Sequence, residues 1–357
     1  MLKKIPKELI SKYLKEKYKA PIELLEYKSL ARGWHGLSYK LVFKAKSKTK
    51  ALILRSKNNF DFSHDYKSDR ATSFILNHQM SKNMPKHVKS FDVIGTNNRN
   101  SVSLGDCDEF FQLVEIAHGK EYMEDLIRIK NAGILGKNDK NKALLLSNYL
   151  VKLHKRIHFK NKNIAKSIYK RHLRDCIGHG EMLLGVIDTY PKKIKFATQK
   201  EITETIKKSV ELREKIKNNY DRLRVIHGDF HPGNIIFKNK NDFVVLDASR
   251  ALYGDPADDL TAMAINYIWL ALRHKNNFSG PFKELFEIFW RNYLKKTRDN
   301  EINKIVPIFF AFRGLVVAHP LFYKNQTNKT RKQIFNFINN ILDGKVFNYK
   351  KINSYIK

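Results

Sequence analysis

The sequence contains little cysteine and no long apolar run, and each shortage limits what the chain can be. Among 357 residues there are two cysteines, Cys107 and Cys176, without a C-x-x-C or Cys/His metal spacing. Neither a disulfide framework nor a zinc site is supported, so a reducing cytoplasm is expected. The longest mostly apolar stretch, residues 260–272, contains Thr261 and Asn266 and is too short to span a bilayer. Because the first residues also lack an apolar signal segment, we expect a soluble protein without membrane insertion.

Acidic residues are the other scarce class. The chain has 35 Asp and Glu against 68 Lys and Arg, a net charge of +33, which alone would suggest nucleic acid or an anionic membrane surface as partner. The lysines are spread among many Asn and Ile residues, without a dense basic block or aromatics interleaved for base stacking. A compositional bias therefore explains the charge more simply than a specific nucleic-acid partner, and an anionic substrate or partner is the alternative. The oligomeric state is left open.

The segment around residues 225–247 carries the pattern that indicates chemistry. Apolar runs at 235–237 and 243–246 flank a polar stretch, which predicts a hairpin with a five-residue loop. Such a hairpin places Asn234 opposite Asp247 at its open end, and Asn and Asp oxygens are suitable ligands for Mg²⁺. Asp229, five residues before Asn234, would lie near the same metal and could accept the proton of a substrate hydroxyl.

A structural explanation competes with this one, because a single Asp or Asn near a turn is usually a turn former or a helix cap. The matching spacings of three such residues, followed by a Gly-Asp-Pro helix start, favour function. Within that helix start, Asp255 is predicted to be the N-cap and Pro256 the first helical residue, with Asp258 and Asp259 in a first turn that the helix dipole favours. We expect this acidic cluster to be mainly structural.

The spacing D-x-x-x-x-N, followed by an Asp at the end of the next strand, matches the protein-kinase catalytic set. The version here, HGDFHPGN at residues 227–234 and GDPADDL at residues 254–260, resembles the aminoglycoside phosphotransferase and choline kinase family. The resemblance implies an α+β, bilobal protein-kinase-like fold. Its small N-terminal, nucleotide-binding lobe with an antiparallel sheet would be residues 1–116, and its mainly helical catalytic and acceptor-binding lobe residues 117–357. It also implies that the acidic pair before Leu260 braces the catalytic loop.

The N-terminal part supplies candidate nucleotide-binding residues. A helix is predicted over residues 5–18, with Leu9, Ile10, Tyr13 and Leu14 on one face. Strands are predicted at 22–30, 37–44 and 51–56. The turn between the first two strands contains Gly33 and Gly36, where a kinase-like fold covers the phosphates, and Ser38 could add a hydroxyl or amide. Without a Walker A pattern in the chain, a P-loop kinase is not expected.

Arg55 ends the third strand, where the family carries a basic residue for the α and β phosphates. Lys57 is the alternative, since an arginine fork is not equivalent to an ammonium. In the next helix, residues 66–80, Asp69 is the sole local carboxylate that could pair with this cation. Two further strands are predicted at residues 88–94 and 109–116. At the end of the second, Glu115 and Ala117 stand where the family's backbone binds the adenine edge.

The remaining chain is predicted to be helical. We expect helices near residues 141–158, 166–186, 200–218, 256–273, 282–297, 304–317 and 330–342. Arg250 and Arg313 are candidates for contacts to a substrate anion, with a structural ion pair as the favoured alternative.

These observations predict an enzyme that uses ATP and Mg²⁺ to transfer the γ-phosphoryl group to a hydroxyl of a small molecule. Because the acceptor lobe is rich in lysine, a neutral or anionic acceptor is favoured over a polycationic aminoglycoside. Three alternatives remain at this stage: a nucleotide-binding pseudokinase, because the N-terminal Lys and Glu are missing, a protein kinase, and a nucleic-acid-binding protein.

Overall fold

The computed structural model describes residues 5–30, 37–57, 64, 66–83, 90–97, 99–105, 117–248, 250–344 and 346–357. The chain divides into two compact units, Met1–Val114 and Glu115–Lys357. The first unit combines antiparallel strands with helices and the second is mainly helical, so the predicted α+β class is confirmed.

The first unit is built on a three-stranded antiparallel sheet in the order β1-β2-β3. Alternate residues of β2, namely Tyr39, Leu41 and Phe43, are buried and form one cluster with the apolar face of α1. The predicted helix face of Leu9, Ile10, Tyr13 and Leu14 is the buried one. The elements of this unit are α1 (Lys7–Tyr18), β1 (Ile22–Ser29), β2 (Ser38–Ala45), β3 (Lys48–Arg55), α2 (Lys67–Asn83), β4 (Ile94–Thr96) and β5 (Ser101–Ser103).

Two strands predicted in this unit differ from the structure or lie outside the described residues. The strand predicted at residues 88–94 overlaps β4 only at Ile94, and β5 was not predicted, because it has three residues and no clear alternation. The strand predicted at residues 109–116 lies outside the described residues.

The second unit holds one large core. Its elements are β6 (Lys120–Glu121), α3 (Tyr122–Ala132), α4 (Lys137–Leu153), α5 (Lys162–Gly178), α6 (Leu183–Asp188), α7 (Gln199–Ile216), β7 (Arg224–Val225), β8 (Ile235–Phe237), β9 (Phe243–Val245), β10 (Tyr253–Gly254), α8 (Ala257–Lys275), α9 (Gly280–Thr297), α10 (Ile302–Ala318), α11 (Asn328–Asp343) and α12 (Ile352–Tyr355). The helix predicted over residues 166–186 is two helices, since Gly178 and Gly180 interrupt it.

Helix α8 lies at the centre of this unit. All of its residues from Ala257 to Leu272 are buried, as expected for a helix that is apolar on every side. It packs on α9 and α10, and its first turn carries Asp258 and Asp259 into the interior. The interior therefore receives two carboxylates at the start of its central helix. Asp258 pairs with Arg313 of α10, and Asp259 accepts from the backbone of residues 227–228.

Candidate active site

The predicted hairpin is present, with a register that differs slightly from the prediction. β8 and β9 pair antiparallel with Ile235 opposite Val245. The next pair outward joins Asn234 to Leu246, whose N–H donates to the Asn234 carbonyl at 2.8 Å. Asn234 is thus opposite Leu246, and Asp247 follows one residue later. Asp247 has left the ladder, with an exposed side chain and a left-handed backbone (φ +55°) that Asp tolerates.

The amide of Asn234 has a defined orientation. Its Nδ2 donates to the carbonyl oxygen of Asp229 at 3.0 Å. Because a carbonyl can only accept, the nitrogen must face Asp229 and the Oδ1 must face away. This leaves Oδ1 available for a cation at the end of the hairpin where Asp247 lies.

The backbone of residues 227–234, the loop that the family resemblance predicts to be catalytic, is held by Asp259. One carboxylate oxygen accepts from His227 N at 2.7 Å, and the other accepts from Gly228 N at 2.8 Å. Gly228 has φ +81°, a conformation that glycine adopts without strain. The family resemblance implied that the acidic pair Asp258 and Asp259 braces this loop. Asp259 does so through these two hydrogen bonds.

A histidine that the sequence analysis did not assign completes this brace. His154, buried at the C-terminus of α4, places Nε2 3.0 Å from Asp259 Oδ2 and Nδ1 2.8 Å from the hydroxyl of Tyr293. Burial alone would raise the pKa of Asp259, but the hydrogen bonds and charge of His154 and the bond from His227 N together lower it. Asp259 is therefore held as a carboxylate that can accept from two loop amides.

Asp229 is flanked by two arginines. Arg313 Nη1 is 2.5 Å from Asp229 Oδ1, and Arg250 Nη2 is 3.2 Å from Oδ2. The Asp229 carboxylate is 9% exposed. Burial alone would raise its pKa, but the charges of Arg313, Arg250 and the neighbouring His231 lower it below its usual value. Asp229 is thus an ionised group, fixed in position and weakly basic.

Arg313 is a buried ion-pair centre. It also donates to Asp258 Oδ1 at 2.7 Å and to the carbonyl of Gly228 at 2.8 Å. Burial alone would lower its pKa, but the charges of Asp258 and Asp229 raise it above the usual value. For Arg313 the geometry therefore favours the structural ion pair over a substrate contact. Arg250 differs, because 18% of its side chain is exposed beside Asp229.

A second ion-pair group fixes the start of α8. Asp255 accepts from Ala257 N at 3.0 Å, but the N-cap is Pro256 and the helix begins at Ala257, one residue later than predicted. Asp255 is also fully buried and accepts from Tyr169 and from Arg222, and Arg222 pairs in turn with Asp299. Sequence analysis missed this group, since its members lie up to 130 residues apart (169 to 299).

The first unit contains a cavity of about 580 Å³ lined by predicted nucleotide-binding residues. Ser38 and Arg55 are cross-strand partners on β2 and β3, and both line it. Lys57 lies in the same cavity, where its Nζ is 2.5 Å from Ser73 Oγ of α2 and 3.2 Å from His64 Nε2. Burial, and then the charge of Arg55, lower the pKa of Lys57.

The acidic side chains near this cavity have other partners. Asp92 lines it but accepts from Tyr13 and Ser103 and pairs with Lys17 at 3.0 Å. Asp69, the predicted partner of the strand cation, accepts from Tyr66 N at 2.6 Å at the start of α2. Within the described ranges, the hydrogen-bonding partners of Lys57 are neutral groups.

The remaining predicted nucleotide residues are only partly described. Gly33, Gly36 and Glu115 lie outside the described residues. Ala117 is described as half-buried and irregular in backbone. Their roles remain predictions.

No helix among the described residues is both long and apolar enough to cross a membrane. No group of three or more His, Cys, Asp or Glu side chains is arranged there to hold a metal ion.

Comparison with known proteins identifies the class of this segment. Residues 191–293 match the model of the phosphotransferase enzyme family APH, which confirms the predicted resemblance over the segment that contains the site. The same match confirms the prediction that the protein is a phosphotransferase enzyme. No curated protein sequence matches the chain.

Solved structures to which the chain is similar include three kinases. They are a spectinomycin phosphotransferase (14% identity, 99% of each chain covered, TM-score 0.35), an ethanolamine kinase from Plasmodium vivax (14% identity, 98% of this chain and 83% of that one, TM-score 0.34) and an amicoumacin kinase (12% identity, 96% of each chain, TM-score 0.41).

Proposed function

We propose that the protein transfers the γ-phosphoryl group of ATP to a hydroxyl of a small molecule that is not a polycation. The observation that carries the proposal is the position of Asp229, an ionised carboxylate held between two arginines on a loop whose backbone is fixed by Asp259. Phosphoryl transfer needs positioning and charge stabilisation more than it needs a strong base. A weakly basic, rigid carboxylate is suited to orient an acceptor hydroxyl and to receive its proton late in transfer.

The donor set of Asn234 and Asp247 fits Mg²⁺. An outward-facing amide oxygen and an exposed carboxylate leave the other coordination positions to water and phosphate, as this ion prefers. When bound, Mg²⁺ would neutralise charge on the phosphate oxygens. On the same proposal Arg55 and Ser38 contact the phosphates, together with Gly33 and Gly36, while Glu115 and Ala117 bind the adenine edge. We further propose a cytoplasmic location, which fractionation of cells would test.

The central test is Asp229→Asn. The rate of ADP formation should fall by about 10²–10⁴-fold, because the carboxylate that receives the proton of the acceptor hydroxyl is lost. The affinity for Mg·ATP, measured by calorimetry, should change less than about threefold. Asp247→Ala should instead weaken nucleotide binding in the presence of Mg²⁺ and leave metal-free binding unchanged. Asp242→Asn, in the exposed hairpin loop, is the matched control and should behave as wild type. Full turnover in Asp229→Asn would refute the mechanism.

A further inference from the structure

The two oxygens of the Asp229 carboxylate have different surroundings. Oδ1 is 2.5 Å from Nη1 of Arg313, whose side chain is 6% exposed. Oδ2 is 3.2 Å from Nη2 of Arg250 and 3.9 Å from Nε2 of His231, and these two side chains are 18% and 38% exposed. Because a ligand must arrive through groups that solvent reaches, the acceptor hydroxyl meets Asp229 on the Oδ2 side, next to Arg250 and His231.

His231 is the neutral one of these two neighbours. Its Nδ1 accepts a hydrogen bond from Gly233 N at 3.1 Å, so the ring proton of the neutral imidazole is on Nε2. Partial burial lowers the pKa of His231, and the charge of Asp229, which raises it, does not compensate. Of the two neighbours, Arg250 is therefore the one with a permanent positive charge.

The guanidinium of Arg250 is held by contacts that leave donors for a ligand. Its central carbon lies 5.5 Å from the ring centroid of Phe312, and Nη1 donates to the sulfur of Met182 at 3.7 Å. A thioether sulfur is a weak acceptor, and a guanidinium has more N–H donors than these contacts use. Arg313 differs, because it donates to three oxygens at 2.5, 2.7 and 2.8 Å. Arg250 is thus positioned beside Asp229 with N–H groups that an oxygen ligand can use.

Glu181 occupies another side of this guanidinium weakly. Its Oε2 is 3.8 Å from Nε of Arg250, which is beyond hydrogen-bonding distance, and its side chain is 66% exposed. An exposed and loosely held ion pair of this kind contributes little to stability. Arg250 therefore faces two carboxylates: Asp229, which is fixed by the loop, and Glu181, which a ligand can displace at small cost. The position of Glu181 marks where a second anionic group fits against Arg250.

We propose that Arg250 binds an anionic group of the acceptor, a carboxylate or a phosphate ester, in the place of the Glu181 carboxylate. The proposal rests on the phosphotransferase function above and names the class of its substrate. The acceptor hydroxyl donates to Oδ2 of Asp229 while the anionic group of the same molecule lies against the guanidinium, so the two groups are close together in the acceptor. Arg250 is then the residue that determines specificity, and it repels a polycationic acceptor.

The first experiment measures anion binding without turnover. Acetate and methyl phosphate are titrated calorimetrically into wild type, Arg250→Gln and Glu181→Gln, with and without Mg·ADP. Arg250→Gln should lower the affinity for the bound anion tenfold or more, because charge-assisted hydrogen bonds are lost. Glu181→Gln should raise it about two- to fivefold, because a weakly competing carboxylate is removed. Arg291→Gln, at an exposed arginine of α9, is the control and should bind as wild type.

The two variants are informative together because their expected effects have opposite signs. Glu181 is exposed, so Glu181→Gln should fold as wild type does, and its result stands even if Arg250→Gln unfolds. The anion that wild type binds more tightly identifies the group as a carboxylate or a phosphate ester. The proposal is overturned if wild type binds neither anion, if Glu181→Gln does not bind more tightly than wild type, or if folded Arg250→Gln binds equally well.

The second experiment compares acceptors that differ in charge. Glycerate, glycerol and serinol present hydroxyls with an anionic, a neutral and a cationic substituent, and sugar acids, sugar alcohols and amino sugars extend the series. We expect kcat/KM to be at least tenfold higher for the anionic members, and Arg250→Gln to remove that advantage mainly through KM. If Arg250 only held Asp229 in place, Arg250→Gln would lower kcat equally for all acceptors, and the advantage of the anionic ones would remain.

The outcomes separate this proposal from the proposed function. A neutral or cationic preference, or an advantage that Arg250→Gln retains, would refute the role of Arg250. The same holds if a chain that hydrolyses ATP turns over none of these acceptors. A chain that neither hydrolyses ATP nor transfers its phosphoryl group would refute the proposed function itself, while the calorimetry still reports on Arg250.

Discussion

The catalytic loop of the second unit and the cavity of the first unit balance their charges in different ways. Around the loop, Arg313 lies between Asp229 and Asp258. In the cavity, Lys57 hydrogen bonds to a serine and a histidine. The guanidinium of exposed Arg55 has no hydrogen-bonding or ionic partner among the described residues. The loop is therefore organised before any substrate arrives, whereas the cavity holds cations whose counter-charge a ligand can supply.

Because the charges are balanced differently, substitutions in the loop should lower folding stability, whereas substitutions in the cavity should lower ligand affinity. Removing a charge from the loop leaves buried carboxylates without a partner, which is costly for folding. Removing a cation from the cavity leaves no stranded charge, so the loss should appear in ligand affinity. Three variants test the contrast.

Arg313→Met should have the largest effect. It leaves Asp229 and Asp258 buried without their shared cation, so we expect a loss of about 3–5 kcal/mol in the free energy of unfolding. Urea denaturation measures it, and adding Asp258→Asn should restore part of the loss because one stranded charge is removed. Arg55→Met in the first unit is the contrasting control and should change stability by less than about 0.5 kcal/mol. Similar losses in the two variants would break the comparison.

Asp92→Asn tests whether the first unit can also depend on a paired carboxylate. Burial alone would raise the pKa of Asp92, but hydrogen bonds from Tyr13, Lys17 and Ser103 lower it to about 2. Because the folded pKa is below the unfolded one, the stabilisation is present above about pH 4 and is lost as the pH falls through about 2. We expect the variant to lose about 2 kcal/mol at pH 7.

The measurement is urea unfolding of wild type and Asp92→Asn between pH 7 and pH 2. The difference in unfolding free energy should shrink as the pH falls from 4 to 2. A difference that stays constant over this range would show that the lost contacts do not depend on the charge of Asp92.

Lys57→Met should have the smallest effect on stability. Its partners are neutral, so the unfolding free energy should change by less than about 0.5 kcal/mol. The affinity of the Lys57→Met variant for Mg·ATP should fall about tenfold, because the Lys57 ammonium is expected to lie near the phosphate oxygens of the nucleotide. Lys48→Met, at the exposed start of β3, is the control and should bind as wild type. A large loss of stability in Lys57→Met would show that Lys57 contributes to folding, as Arg313 does in the second unit, and would contradict the prediction.

Local patterns in the sequence predicted much of the fold. The face of α1 and the strands β8 and β9 follow from periodicity and from a polar loop between apolar runs. Helix α8 was predicted from residue 256, close to its observed start at Ala257, because Asp and Pro at a helix start act through neighbouring residues. The α5–α6 break was missed, although Gly178 and Gly180 stand two residues apart there, because the apolar pattern continues past them.

The candidate site was predictable only in part. Asp229, Asn234 and Asp247 lie within 19 positions of the chain (229 to 247), and the hairpin that joins them is local. Arg313 is 84 residues from Asp229, and nothing in its own helix indicates which carboxylate it pairs with. Sequence analysis therefore listed Arg313 and Arg250 together, although one is buried between two acids and the other is partly exposed.

The sequence by itself determined the chemistry that this chain can offer: an Asp, an Asn and an Asp at phosphotransferase spacing, and few acids to bind a polycation. Tertiary structure alone decided which charges are used for folding and which face a ligand. It paired Arg313 with Asp229 and Asp258, and it brought Arg55 and Lys57 to one cavity without carboxylate partners among the described residues. The physical reason is that the energy of a buried charge depends on its spatial neighbours and on its exclusion from water, and these are set by packing between distant segments.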